Sequence, residues 1–147
     1  CTNLTSIEIP DTVTYIGDYC FSGCNRLQKI KLSKKIQTIN QRLLQGCSSL
    51  TEIEIPEGVK SIGYAAFSSC SKLTTITLPA SLTSFNGTAL AGLSRLTEVK
   101  VADGNNSFKF ENGMLFSKDG KTMYTALLTL TEINVPNGVV SIVGDTL

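Results

Sequence analysis

Cysteine stands at positions 1, 24, 47 and 70, and leucine takes the next place in the series at 93. The same 23-residue interval separates Leu4, Leu27, Leu50, Leu73 and Leu96. It separates Ile7, Ile30, Ile53, Ile76 and Val99, then Ile9, Leu32, Ile55, Leu78 and Val101. Two further columns read Val13, Ile36, Val59, Leu82 and Ile16, Ile39, Ile62, Phe85, and Phe21, Leu44, Phe67, Leu90 close the unit. A unit this short cannot bury its own apolar face, so copies must stack and share one core.

The L-x-x-L-x-L core at this period predicts a right-handed leucine-rich repeat solenoid of about six coils, folded as one domain over 1–147. The coils are 1–23, 24–46, 47–69, 70–92, 93–126 and an incomplete 127–147, which ends with Leu147 in the Phe21 column. In Leu50–Ile55, Leu50, Ile53 and Ile55 point inward, and alternation over the last three residues predicts a half-buried strand. Pro56 stops it, because proline cannot donate to a ladder; Pro10, Pro79 and Pro136 do the same in their copies. Stacking gives a parallel β-sheet on one face, with strands about 4.8 Å apart. Val59–Ile62 predicts a second short extended piece, and Tyr64–Ser68 a short helical turn.

The fifth copy departs most. Residues 102–126 hold Asn112-Gly113 and Asp119-Gly120 between short apolar runs, which is the pattern of tight hairpins. A small β-meander inserted in the solenoid is expected there. The sixth copy resumes at Leu127 with Leu130, Ile133, Val135, Pro136, Val139 and Ile142 in register.

The net charge is +1, from 13 basic and 12 acidic residues. This balance argues against a nucleic acid or an anionic membrane held by bulk electrostatics. No apolar run is long enough for a membrane-spanning helix. The chain opens and closes in mid-pattern without polar caps, and reads as a processed chain or a piece of a longer one.

The column occupied by Cys1, Cys24, Cys47 and Cys70 accepts leucine in later copies, so it reads as a ladder of buried structural thiols. Neighbouring cysteines are within disulfide reach, but parallel Cβ vectors in register disfavour the bond. Cys20, beside Phe21, reads as a further core thiol. Zinc-type spacing is absent and the chain has 0 histidines, so neither a metal site nor a cofactor is expected, and the usual base for a Ser or Cys nucleophile is missing.

Outward strand positions form two charged columns: Ser6, Lys29, Glu52, Thr75, Glu98, Glu132 and Glu8, Lys31, Glu54, Thr77, Lys100, Asn134. Opposite charges on adjacent strands help to fix register. Glu52 and Glu54 would lie about 6.6 Å apart along a strand, and Glu8 about 9.6 Å from Glu54 across two strand spacings. Those separations suit an inverting glycosidase. Lysines beside the carboxylates favour their charged form, however, whereas a general acid needs the reverse. An outward column of Thr5, Thr51, Thr74, Thr97 and Thr131 suits β-structure. Tyr15, Tyr19 and Tyr64 read as partly buried packing. In the insert, Phe108, Phe110, Phe116 and Tyr124 pack the meander onto the coil, and any exposed share of them would mark a contact site. Asn3, Asn86 and Asn105 each open a glycosylation acceptor pattern.

The unit C-x-x-L-x-x-I-x-I-P-x-x-V-x-x-I-G-x-x-x-F, matched best by Cys47–Ser69 and Cys1–Gly23, resembles the BspA-type leucine-rich repeat of bacterial surface proteins. The segment Glu111–Thr122 resembles one that recurs between such repeats. The resemblance covers essentially the whole chain. It implies a secreted or cell-surface protein with adhesive or binding roles, often part of a larger one, and it implies no catalytic residues.

The expected function is a non-catalytic protein- or glycan-binding module displayed outside a bacterial cell. The candidate ligand contacts are Lys29, Lys31, Glu52, Glu54, Phe108, Phe110, Phe116 and Tyr124. A structural spacer that assembles end to end is the alternative, and a glycan-active enzyme using Glu52 with Glu54 or Glu8 is the remote one.

Overall fold

A computed structural model describes residues 1–143. Its strands are short and all lie across the coil direction: β1 (Ser6–Glu8), β2 (Lys29–Lys31), β3 (Thr38–Ile39), β4 (Ser61–Ile62), β5 (Thr75–Leu78), β6 (Ser84–Phe85), β7 (Glu98–Val101), β8 (Phe108–Glu111), β9 (Met114–Ser117), β10 (Thr122–Ala126) and β11 (Ser141–Ile142). Parallel pairing joins β1 to β2, β5 to β7, and β3 to β4 to β6. Every one of these pairs matches residues one repeat apart, such as Ile7 with Ile30 and Ile76 with Val99.

The main core runs unbroken from the first coil to the insert. Leu27, Ile39, Cys47, Leu50, Val59, Phe67 and Leu73 are 0% exposed. A coil that leaves no gap against either neighbour gains both hydrophobic transfer and dense packing.

Two local expectations are corrected. The first face does not carry a continuous sheet: residues 51–55 of the third coil pair with neither β2 nor β5, although Ile53 and Ile55 stay buried. Tyr64–Ser68 is not helical. Tyr19, Arg42 and Ala65 occupy this corner in successive coils with φ of 59°, 52° and 52°. A left-handed residue breaks the run of right-handed dihedrals that a helix needs. The backbone here bonds between coils instead: Phe21 N–H donates to Leu43 O at 3.0 Å, and Leu44 N–H to Ala66 O at 2.9 Å. A single 3-10 turn, Gly87–Leu90, forms in the fourth coil, where the Asn86 side chain accepts from Thr88 N–H.

The insert is a septum rather than an appendage. β8, β9 and β10 form the expected antiparallel meander, and β11 of the sixth coil adds to β10 in parallel. β10 thereby takes the second-strand place of the fifth coil. Val140 and Ser141 N–H both bond Lys121 O, as Thr83 and Ser84 N–H bond Lys60 O. One face of the meander gives Phe108 and Leu115 to the main core; the other gives Met114, Phe116 and Met123 to a second cluster with Leu130, Ile133 and Val139. The alternating side chains of a strand are what let one sheet serve two cores. The assignment of Leu147 to the Phe21 column lies outside the described residues.

Candidate functional site

The outward positions of β1, β2 and the unpaired third-coil segment lie side by side, since residues two apart share a strand face. Lys31 Nζ donates to Glu8 Oε1 at 2.5 Å, and Lys29 Nζ lies 3.7 Å from Glu52 Oε1. The hydrogen bond to Glu8, reinforced by the charge of that carboxylate, holds the Lys31 ammonium above the ordinary lysine range. These side chains remain largely exposed, so the pairs orient charge and add little stability. Among the described residues, no cation lies within ion-pair distance of Glu54.

A groove of about 830 Å³ opens on this face over coils one to three. Glu8, Lys29, Lys31, Glu52 and Glu54 line it together with the apolar Ile7, Ile30 and Ile53. The structure thus brings the four charged candidates, Lys29, Lys31, Glu52 and Glu54, into one site. Both signs of charge stand over an apolar lining, beside a backbone stretch that no strand has paired. Such a surface can bind an extended peptide or a hydroxyl-rich glycan through several weak polar contacts.

The aromatic candidates lie elsewhere. Phe108 and Phe116 are 1% and 2% exposed, so they belong to the core and are closed to a ligand. Phe110 and Tyr124 are half-buried. Phe85, Phe108 and Tyr124 meet edge to face, with ring centroids 5.3 to 6.2 Å apart. This is the packing role, and it leaves the insert without an aromatic contact surface built from Phe108 or Phe116.

Three thiols of the predicted ladder are buried: Cys24, Cys47 and Cys70. Cys47 Sγ donates to Phe21 O at 3.2 Å and Cys70 Sγ to Leu44 O at 3.1 Å. Burial pushes each of these two thiols up to about 12. Cys1 departs from the ladder and is exposed, because no coil among the described residues covers its outer side. Cys20 is also exposed, contrary to its reading as a core thiol; its neighbour Phe21 takes the core place. All five cysteines are free. No described group of three or more His, Cys, Asp or Glu residues is placed to hold a metal ion.

Asn105 is 2% exposed and fully engaged, which removes it as a glycosylation acceptor. The tyrosines are likewise corrected. Tyr15 is 71%, Tyr19 46% and Tyr64 40% exposed, and the latter two flank Arg42, which sequence reasoning passed over. A signal existed: Tyr19 and Arg42 share a repeat column, and Tyr64 stands one place before it, beside Gln41 in register.

Stacked coils with parallel ladders on two sides, a free outward face and a charged groove define a leucine-rich repeat solenoid module. The chain belongs to the BspA-type leucine-rich repeat family, whose model matches six copies over residues 1–119. That match ends inside the insert. A leucine-rich cell surface protein from Faecalibacterium prausnitzii is 34% identical over 67% of this chain and 26% of its own, with a TM-score of 0.66. A leucine-rich repeat protein from Bacteroides ovatus is 27% identical over 97% of this chain and 40% of its own, at a TM-score of 0.73. The pneumococcal vaccine antigen PcpA is 25% identical over 95% of this chain and 41% of its own, also at 0.73. The chain therefore spans less than half the length of each of these solved proteins. No curated protein matches it.

Proposed function

We propose that this chain is a non-catalytic binding module of the adhesion type, displayed outside a bacterial cell, and that its ligand is a protein or glycan. The observation that carries the reading is the groove over coils one to three. There Lys29, Lys31, Glu52 and Glu54 face outward where the third-coil strand segment pairs with neither β2 nor β5. The cell-surface relative supports the location. The carboxylates are exposed and two of them pair with lysines, which suits recognition better than proton donation.

Saturable binding to extracellular-matrix proteins or to a glycan array tests the proposal. Reversing Lys31→Glu together with Glu54→Lys should abolish binding while the fold is retained. Binding that survives the reversal would remove the groove from the account.

One observation favours the spacer reading as a second function. Leu128, Val135, Val140 and Ile142 of the sixth coil are 39% to 80% exposed, and a further stacked coil would cover such a face. Concentration-dependent sedimentation, lost when Val140 and Ile142 are changed to lysine, is the expected result for that reading.

A further inference from the structure

Coil two holds Arg26, Lys29, Lys31, Lys34, Lys35 and Arg42 and has no acidic residue. Lys29 and Lys31 meet glutamates of the neighbouring coils, and Arg26 donates to Asn3. Arg42 is different. It lies at the corner after the second strand, away from the groove, with its guanidinium carbon 5.5 Å from the Tyr19 ring centroid and 5.2 Å from that of Tyr64. No carboxylate among the described residues is within ion-pair distance of it. Asp18, one coil earlier at the same corner, instead accepts the Gln41 backbone N–H at 3.1 Å.

The donors around Arg42 point one way in chemical terms. Tyr19 Oη accepts from Arg42 Nη1 at 3.3 Å and from Gln41 Nε2 at 3.0 Å. With its lone pairs engaged, that hydroxyl has its own proton to give. Arg42 Nε is buried and has no hydrogen-bond partner. A buried donor without an acceptor is costly and rare in a folded protein. The cluster therefore combines a cation flanked by two rings, a free O–H and, beyond the sealed Nε, Nη N–H groups that no carboxylate among the described residues takes.

We propose that the Tyr19–Arg42–Tyr64 corner binds the carboxylate of an acidic sugar, a hexuronate at the end of or within a glycan. The guanidinium takes the carboxylate through paired N–H donors, the geometry in which arginine exceeds lysine. The exposed rings of Tyr19 and Tyr64 offer flat negative faces to the sugar C–H groups. None of these residues lines the groove, so the site stands independently of the binding role assigned to that face.

The test is an NMR titration of the full chain with cellobiouronic acid and with cellobiose, which differ at one carboxylate. The acid should bind at least about tenfold more tightly, with shifts confined to the rings of Tyr19 and Tyr64 and the side chain of Arg42. Arg42→Lys keeps a cation and should weaken binding by about tenfold or more, whereas Lys72→Glu, an exposed lysine outside both sites, should leave it unchanged. Equal binding of the two sugars, an unaffected Arg42→Lys variant, shifts that map to the groove, or no shift at any soluble concentration would each overturn the proposal. A poly-glutamate peptide that binds this corner more tightly than the sugar acid would overturn it in favour of a protein ligand.

Discussion

The side-chain amide of Asn105 donates to the carbonyl oxygen of Pro79, 26 residues earlier, at 2.8 Å. It donates also to Leu82 O at 3.2 Å, and its own oxygen accepts from Ser107 and Phe108 N–H at 2.8 and 2.9 Å. One buried side chain thus ties the turn of the fourth coil to the start of the meander. Asn105→Ala strands these backbone groups in a dry site, and each unsatisfied group costs about 1–3 kcal/mol. Urea unfolding should show a loss of about 3 kcal/mol or more. A loss below about 1 kcal/mol would mean that water replaces the amide.

Ser69 holds φ of 62° in a column where Gly23, Gly46 and Gly92 hold 73° to 74°. A left-handed residue with a Cβ costs about 1–2 kcal/mol, and glycine returns about 0.5–1 kcal/mol of that as chain entropy. Ser69→Gly should therefore stabilise the protein by about 0.5–1 kcal/mol. A higher denaturation midpoint at unchanged m-value checks it.

Gly87 is constrained by space, not by its dihedral angle. A Cβ there would stand 2.5 Å from Val143 O and 2.6 Å from Tyr124 O, both backbone atoms that cannot swing aside. Gly87→Ala should cost about 2–4 kcal/mol through overpacking, as the sixth coil is pushed off the fourth. Hydrogen exchange should rise first at Val140, Ser141 and Val143, whose N–H groups bond to Lys121 and Met123.

The buried thiols make stability fall at alkaline pH. Cys47 and Cys70 are raised from 9.0 to about 12 by burial, so above pH 9 the unfolded chain releases protons that the folded chain retains. Stability then drops as pH rises from about 9 to about 12, by about 1.4 kcal/mol per unit for each thiol. The double variant Cys47→Ala with Cys70→Ala should flatten that slope, though its baseline stability is lower. At pH 8, a thiol reagent should label Cys1 and Cys20 in the native protein, and Cys24, Cys47 and Cys70 only on unfolding. Rapid native labelling of Cys47 would contradict the buried ladder.

The charged part of the candidate groove was legible because it follows from one number. A 23-residue period with outward residues two apart fixes Glu8 beside Lys31 and Lys29 beside Glu52, as the strand register and the ion pairs then have it. Whether Lys31 turns to Glu8 or to Glu54 was not fixed by the period, since both carboxylates stand one coil away. The Arg42 corner was missed because its partners are staggered by one place between coils, so a column-by-column comparison separates Tyr64 from Tyr19.

The sequence by itself determined the coil count, the stacking register, the inward columns and the existence of the meander. These depend on local periodicity and turn chemistry, and each repeat states them again. The tertiary structure decided what non-repeating segments do. It made the meander a septum with a core on each face, so Phe108 and Phe116 became interior. It left the third coil unpaired on the first face, exposed Cys20, and set Arg42 between two tyrosines. The physical reason is common to all of these. A repeat pattern says which side chains point inward, but burial and pairing depend on which coil lies against which, and that is settled only when the whole stack is packed.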